Sequence, residues 1–345
     1  MTNNSLLISL RTLTPIWTGG IGGEADRLHA TGIIGSLRWW YEAIVRGLGG
    51  QVCDPIEHSC LYDKDLPNQG LCDACRVFGT TGWARRFRLI VSEETNLRPV
   101  TPWKPKIAAS RPSYIDSHGI EKVPKGWFFN SPPLAGSASI KIIATDKQFQ
   151  TGIVGGLIQF LADWASIGAR PQMGFGVVEL IHHQDTLELL HHLQSLTAGE
   201  IDKTLPSLQN MFFTSVSADT FPTKTFPKKE TFNLKYDLRR LFATNNNLRH
   251  FIMGEAPQEG EPQGAKVMMS YPYNNDKIIR VWGWIPEEVT KFGVSREKVI
   301  QQIHTHLKSR YTVDYWREFN SERDTEGQYS EIKAFLKSLL ERRKA

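Results

Sequence analysis

With 345 residues, 40% of them apolar and 22% charged, the chain has a globular composition and room for two units with separate cores. Its net charge of +5 permits a nucleic-acid partner without requiring one, so the distribution of charge matters more than the total. No stretch approaches ~18 uninterrupted apolar residues, so no membrane-spanning helix is expected, and Met1 to Leu10 lacks the basic-then-apolar order of a signal peptide.

Leu6, Ile8 and Leu10 alternate with Leu7, Ser9 and Arg11, the period of a strand with one face on a core. A Gly-rich segment, Gly19 to Gly35, follows, where the backbone can turn or approach a ligand closely. The spacing then predicts a helix over about Ile34 to Leu48, with Leu37, Tyr41, Ile44 and Leu48 as its buried stripe and Trp40 at the margin. Arg38, Glu42 and Arg46 fall on the opposite face four apart, as a charge ladder. After a cysteine-rich insertion come a strand near Ala84 to Val91, a long irregular segment rich in Pro and Trp, and a strand over Ser137 to Ala144. A second helix is expected from Gly152 to Ser166, then the loop GARPQMGFG and a strand over Val177 to Ile181. The order strand, helix, strand, strand, helix, strand is the ferredoxin-like arrangement, also that of RRM domains, which lay RNA across a four-stranded sheet.

Two amphipathic segments, Thr186 to Leu196 and Gly199 to Gln209, bridge to a second half that repeats the order more loosely. It offers a strand over Met211 to Ser217, a helix over Asn233 to Ala243 and a hairpin of Lys266 to Tyr273 with Lys277 to Ile285, turning at Asn274, Asn275 and Asp276. Helices are expected over Ser295 to Ser309 and Ser330 to Glu341, and mobile loops over Ala218 to Thr231 and Gly254 to Ala265. The expected fold class is α+β: two tandem ferredoxin-like (RRM-like) domains. They comprise 1–183, with the cysteine-rich insertion at about 50–76 and the glycine loop at 168–176, then bridging helices at 184–210, then 211–345 with its C-terminal helix.

All four cysteines cluster: Cys53, Cys60, Cys72 and Cys75. The expected compartment is the reducing cytoplasm, where such a cluster reads as a metal site before it reads as disulfides. The last pair is a C-x-x-C knuckle, and four thiolates around one ion form a closed, structural zinc site. His58 is an alternative ligand, and free thiols are the alternative state.

Between Arg76 and Arg111 lie eight Lys or Arg residues and only two acids. Arg85, Arg86, Arg88, Lys104, Lys106 and Arg111 are among them, interleaved with Trp83, Phe87 and Trp103. Cations this dense repel one another unless an anion compensates, and aromatic faces among them suit unpaired bases. The alternative is a solvated face paired to carboxylates elsewhere, and Arg38 pairs with Glu42 as readily as it meets RNA. In the glycine loop, Gly168, Gly174 and Gly176 with Arg170 offer backbone N–H groups and a guanidinium as a phosphate cradle. A tight turn needing positive φ explains the same glycines.

This loop, with TPIWTGG at 14–20, IIGSLRWWYEAIVRGLGG at 33–50, CRVFGTTGWARRFRL at 75–89, RHFIMG and RVWGWIP, resembles the RAMP superfamily of CRISPR proteins. Within that superfamily the chain is similar to the first-numbered RAMP subunit of the Cmr complex, a type III-B effector. The resemblance implies a non-catalytic RNA-binding subunit that holds the 3′ part of the guide RNA and helps capture complementary target RNA in antiviral defence. Other Cmr subunits would be its partners, with no membrane and no small-molecule substrate. Matching positions imply RNA contacts from Arg38, Trp39, Arg85, Arg86 and Arg170 with the glycine loop; Arg27, Arg88, Lys104, Lys106 and Arg111 join the basic surface.

No Ser-His-Asp arrangement and no H-E-x-x-H motif is evident. His29, two residues after Arg27, is the best candidate for a general base in a metal-independent guide-RNA-processing endoribonuclease, the alternative function. A purely structural adaptor that touches only proteins is a further alternative. His182, His183, His191 and His192 read as surface residues.

Overall fold

The computed structural model describes residues 4–20, 22–54, 60–92, 96–102, 104, 106–115, 119–123, 126–129, 131–196, 199, 204–255 and 261–341. Among these, β1 (Ser5–Thr12), β2 (Phe87–Ser92), β3 (Ser137–Ala144) and β4 (Val178–Leu180) form an antiparallel sheet in the order β4-β1-β3-β2. Helices α1 (Ala30–Gly47) and α3 (Gly152–Trp164) cover one face, and the short α2 (Asp73–Phe78) lies in the cysteine insertion. The register pairs Ile8 with Ile140 and Leu6 with Ile142, so the expected alternation places Ile8, Leu10, Ala138, Ile140, Ile142, Phe87 and Leu89 on the covered face. Leu7, Arg88, Ile90 and Lys141 occupy the other, exposed face.

Helix α4 (Leu187–Gln194) leads to the second sheet, built from β5 (Met211–Ser217), β6 (Val267–Met269), β7 (Ile278–Trp284) and β8 (Thr312–Glu318) in the order β6-β7-β5-β8. Helices α5 (Glu230–Leu241), α6 (Asn246–Met253) and α7 (Arg296–Arg310) pack on one face of it. The turn before β7 runs through Asn274, Asn275 and Asp276, all at positive φ. Both β8 and α6 escape the sequence reading: β8 carries charges at Asp314, Arg317 and Glu318 that break its apolar alternation, and α6 begins among three consecutive asparagines. Of the second bridging segment, 200–203 lie outside the described residues, and Leu208–Asn210 is a 3-10 turn. The expected loop over 218–231 is ordered by a 3-10 turn at Ala218–Thr220 and runs into α5.

The second sheet is buried on both faces, as the near-continuous burial of β5 and β7 records. Its outer face meets α5–α7 through Phe212, Val216 and Trp316. Its inner face meets the helices of the first sheet, where Phe213 contacts Trp40, Phe160 and Trp164. Helices α1 and α3 are thus sandwiched between two sheets. The expected charge ladder of α1 is internal: Glu42 and Arg46 are buried, with Arg38 Nε 2.8 Å and Arg46 Nη2 3.6 Å from Glu42. Helix α1 also begins four residues earlier than expected.

Arg280 of β7 joins the two lobes. Its Nη1 donates to the carbonyls of Ala162 and Ala165 at 2.9 and 2.8 Å, closing the C-terminus of α3 with a cation. The last helix, α8 (Ile332–Leu340), folds back onto the first lobe, where Trp164 Nε1 and Thr186 Oγ1 donate to the Leu339 and Leu340 carbonyls. Among the described residues no helix is long and apolar enough to cross a membrane.

Candidate functional site

The glycine loop is the joint between the lobes. Gly168, Gly174 and Gly176 adopt φ of 97°, 96° and 89°. A Cβ on Gly174 would stand 2.8 Å from the Tyr271 nitrogen, and one on Gly168 would stand 2.5 Å from the Trp17 carbonyl. The expected phosphate cradle is not what these glycines build. Gly168 N donates to Ser36 Oγ at 2.9 Å, Gly174 N to the Pro171 carbonyl at 3.1 Å and Gly176 N to the Pro15 carbonyl at 2.9 Å. With those donors engaged, the glycines serve close packing. The second lobe grips the loop in return: Tyr271 N donates to the Gly174 carbonyl at 2.9 Å, and Lys235 Nζ donates to the Gln172 carbonyl at 2.8 Å.

Arg170 stands apart. It adopts the left-handed conformation at φ 60°, and its guanidinium lies 4.0 Å from the Trp17 ring centroid and 6.0 Å from that of Phe129. Burial holds its pKa below the ordinary arginine range. It has no ion pair among the described residues. A partly desolvated cation resting on an aromatic face is suited to an incoming anion.

Beside Arg170 a cleft of about 520 Å³ opens between the lobes. Trp39 and Trp40 of α1 line it from one side, and Lys266, Met268, Trp282 and Trp284 from the other. Its described lining holds one charged side chain, Lys266, and no carboxylate. Lys266 Nζ donates to the Phe251 carbonyl at 3.0 Å and lies 5.1 Å from the Trp284 ring centroid. Burial pushes its pKa down to about 8, with Lys291 adding repulsion and Glu288 opposing. The sequence reading assigned Trp39 a role but missed Lys266 and Trp284. RVWGWIP carried a signal for Trp284, whereas nothing local marks Lys266.

The basic stretch divides. Arg86 pairs with Asp146, and Arg111 pairs with Asp237 of α5, its Nε 2.9 Å from Oδ1. Arg38 donates to Glu42, to the Gly79 carbonyl at 2.9 Å and to Cys75 Sγ at 3.3 Å. These three are engaged within the fold. Arg111 belongs to a hairpin arm of short pairings, Arg98 with Ala135 and Lys106 with Phe128, that lies on α5. Arg85 donates to the Phe87 carbonyl at 3.0 Å. Arg27, Arg88 and Lys104 are exposed with no ion pair among the described residues, and Lys106 rests over Phe128. Arg88 lies on the open face of the first sheet. Trp103 and both acids of the stretch, Glu93 and Glu94, lie outside the described residues.

The cysteines converge as expected. The sulfurs of Cys53, Cys60, Cys72 and Cys75 all lie within 4.8 Å of one another. Cys72 N–H donates to Cys60 Sγ and Cys75 N–H to Cys72 Sγ, both at 3.4 Å, an arrangement that favours thiolates. Cys72 is pushed down to about 4 by the hydrogen bond from Cys75, while burial raises Cys60 to about 11. Four sulfurs at this spacing fit one tetrahedral ion. The alternative ligand His58 lies outside the described residues.

His29 precedes α1, its Nε2 2.6 Å from Asp26 Oδ1. His192 is only partly exposed, against the surface reading: its Nε2 lies 2.7 Å from the Tyr41 hydroxyl, and burial lowers its pKa.

Residues 9–179 match the family model of the RAMP superfamily. No curated protein matches the chain. Among solved structures, apo Cmr1 from Pyrococcus furiosus is similar over 90% of this chain and 97% of its own, at TM-score 0.46 and 11% identity. A chain of the type III-B Cmr-beta complex, bound to cognate target RNA and AMPPnP in the presence of ssDNA, is similar over 88% and 100%, at 0.43 and 12%. A chain of that complex bound to cognate target RNA is similar over 52% and 58%, at 0.31 and 13%.

Proposed function

We infer from the match of residues 9–179 to the RAMP superfamily model that the chain belongs to that superfamily, and on that premise propose that it is a non-catalytic RNA-binding subunit of a type III-B CRISPR ribonucleoprotein in the cytoplasm. It holds the 3′ part of the guide RNA and helps capture complementary target RNA beside other Cmr subunits. Each sheet with its helices is read as a ferredoxin-like domain, because both run β-α-β-β-α-β with the same strand order counted within the unit. The cysteine cluster is read as structural zinc.

The observation that carries the RNA reading is Arg170, set on Trp17 without a carboxylate partner among the described residues, between Ala169 and Pro171 of a cleft whose described lining holds no acid. Phosphate supplies the missing anion, and the indoles supply faces for bases. Arg27, Arg85, Arg88, Lys104 and Lys106 extend the cationic surface.

Fluorescence anisotropy of the full chain with labelled single-stranded RNA tests this. Affinity is expected to fall steeply between about 50 and 200 mM salt, and Arg170→Gln to weaken binding and reduce the salt slope by about one. Salt-independent binding, or an unchanged slope in the variant, sinks the assignment. A second reading, metal-independent cleavage of repeat RNA, draws on the pairing of His29 with Asp26, which could orient a general base. It requires cleavage products in chelator and their loss in His29→Ala; intact RNA is the expected result.

A further inference from the structure

We propose that the interlobe cleft accepts one unpaired base of the bound RNA strand, stacked against the indoles of Trp39 and Trp284. The inference rests on the RNA-binding reading and adds a defined base site to it. The volume of about 520 Å³ falls within the roughly 300–1,000 Å³ of small-ligand sites. Trp40 and Trp282 are buried and form the floor, whereas Trp39 and Trp284 are only partly covered and retain surface for a ligand. They come from different lobes, so the site exists only in the assembled molecule.

Helix α1 shows a second, independent sign of an open site. Gly35 sits inside this long helix, where glycine costs about 1 kcal/mol relative to alanine. A Cβ built there meets nothing within 4 Å, so neither packing nor a positive φ requires the glycine. It lines the cleft, and its missing side chain leaves the approach to Trp39 clear. The neighbouring Gly32, by contrast, is held close by Thr18, 3.1 Å from a Cβ placed there.

The chemistry selects a nucleotide. Aromatic faces accept any base, Lys266 is the one charge in the described lining, and Arg170 stands between the lining residues Ala169 and Pro171. The base enters the cleft and its flanking phosphates meet the two cations.

Single-stranded RNA carrying one 2-aminopurine tests the proposal with the full chain. Binding is expected to quench the probe, since a stacked indole deactivates it. Trp39→Ala and Trp284→Ala each relieve the quenching and weaken binding roughly tenfold. Gly35→Leu, which fills the entrance with a strong helix former, is expected to do the same at an equal or higher melting temperature, separating site blockage from misfolding. RNA that binds with unchanged affinity in all three variants, without quenching, overturns the base site and leaves the RNA-binding function standing. A native chain that binds no RNA at any salt concentration overturns both.

Discussion

Lys235 is enclosed between α5 and the glycine loop, its ammonium bonded to the Gln172 carbonyl and 5.6 Å from the Trp127 ring centroid. Burial, with some repulsion from Arg239, pushes its pKa down from 10.5 to about 7. The folded state therefore binds fewer protons than the unfolded chain between those values. The penalty for burying the charge is full below about pH 7 and is relieved as pH rises toward 10.5. Lys235→Met removes the group, so the melting temperature of the native chain relative to this variant is expected to climb across that window. A difference independent of pH would show that the ammonium is solvated. Burial decides the neighbouring cations too. Arg86 and Arg111 are indistinguishable in sequence from Arg88, yet the first two meet Asp146 and Asp237 across the fold and the third faces solvent.

The cysteine insertion shows how a local pattern can specify a site without specifying its setting. The C-x-x-C spacing places Cys72 at the N-cap of α2, where it accepts the Cys75 N–H, and Cys75 in the first turn. The tie from Cys75 Sγ to Arg38, and so to Glu42 inside α1, depends on packing. A metal held here would act as folding energy for a segment with little core of its own. Purified chain is expected to carry about one zinc ion by elemental analysis, and Cys72→Ser to lower both zinc content and melting temperature. Zinc-free protein with an unchanged melt on chelation contradicts this. The glycine loop offers the opposite lesson. Its composition suits a phosphate cradle and a tight turn equally, and the hydrogen bonds of Gly168, Gly174 and Gly176 decide for the turn.

Across the molecule, the layers run sheet, helices, sheet, helices, with α1 and α3 shared between the two sheets. Arg280 is central to that sharing. Its removal leaves the Ala162 and Ala165 carbonyls unpaired in a buried interface, at a cost of about 1–3 kcal/mol. Arg280→Leu is accordingly expected to lower the denaturation midpoint, and the native chain to unfold in one transition by both fluorescence and circular dichroism. Two separate transitions in the native chain would mean that the lobes fold independently.

Hydrophobic period and turn chemistry act over short windows, so they sufficed to place seven of the eight main strands, most of the principal helices and the four converging cysteines. Period also carries an assumption, that a helix with one apolar stripe turns its other side to water. For α1 that assumption fails, because the cysteine insertion and the bridging segment cover the side bearing Glu42 and Arg46: Arg38 reaches the Gly79 carbonyl and Cys75, and Arg46 Nη1 donates to the Pro206 carbonyl. The cleft escaped for the same reason: Trp39 and Lys266 lie far apart along the chain and meet only when the second sheet closes over α1. Local forces write the elements; long-range packing settles which charges stay free and where a cavity opens.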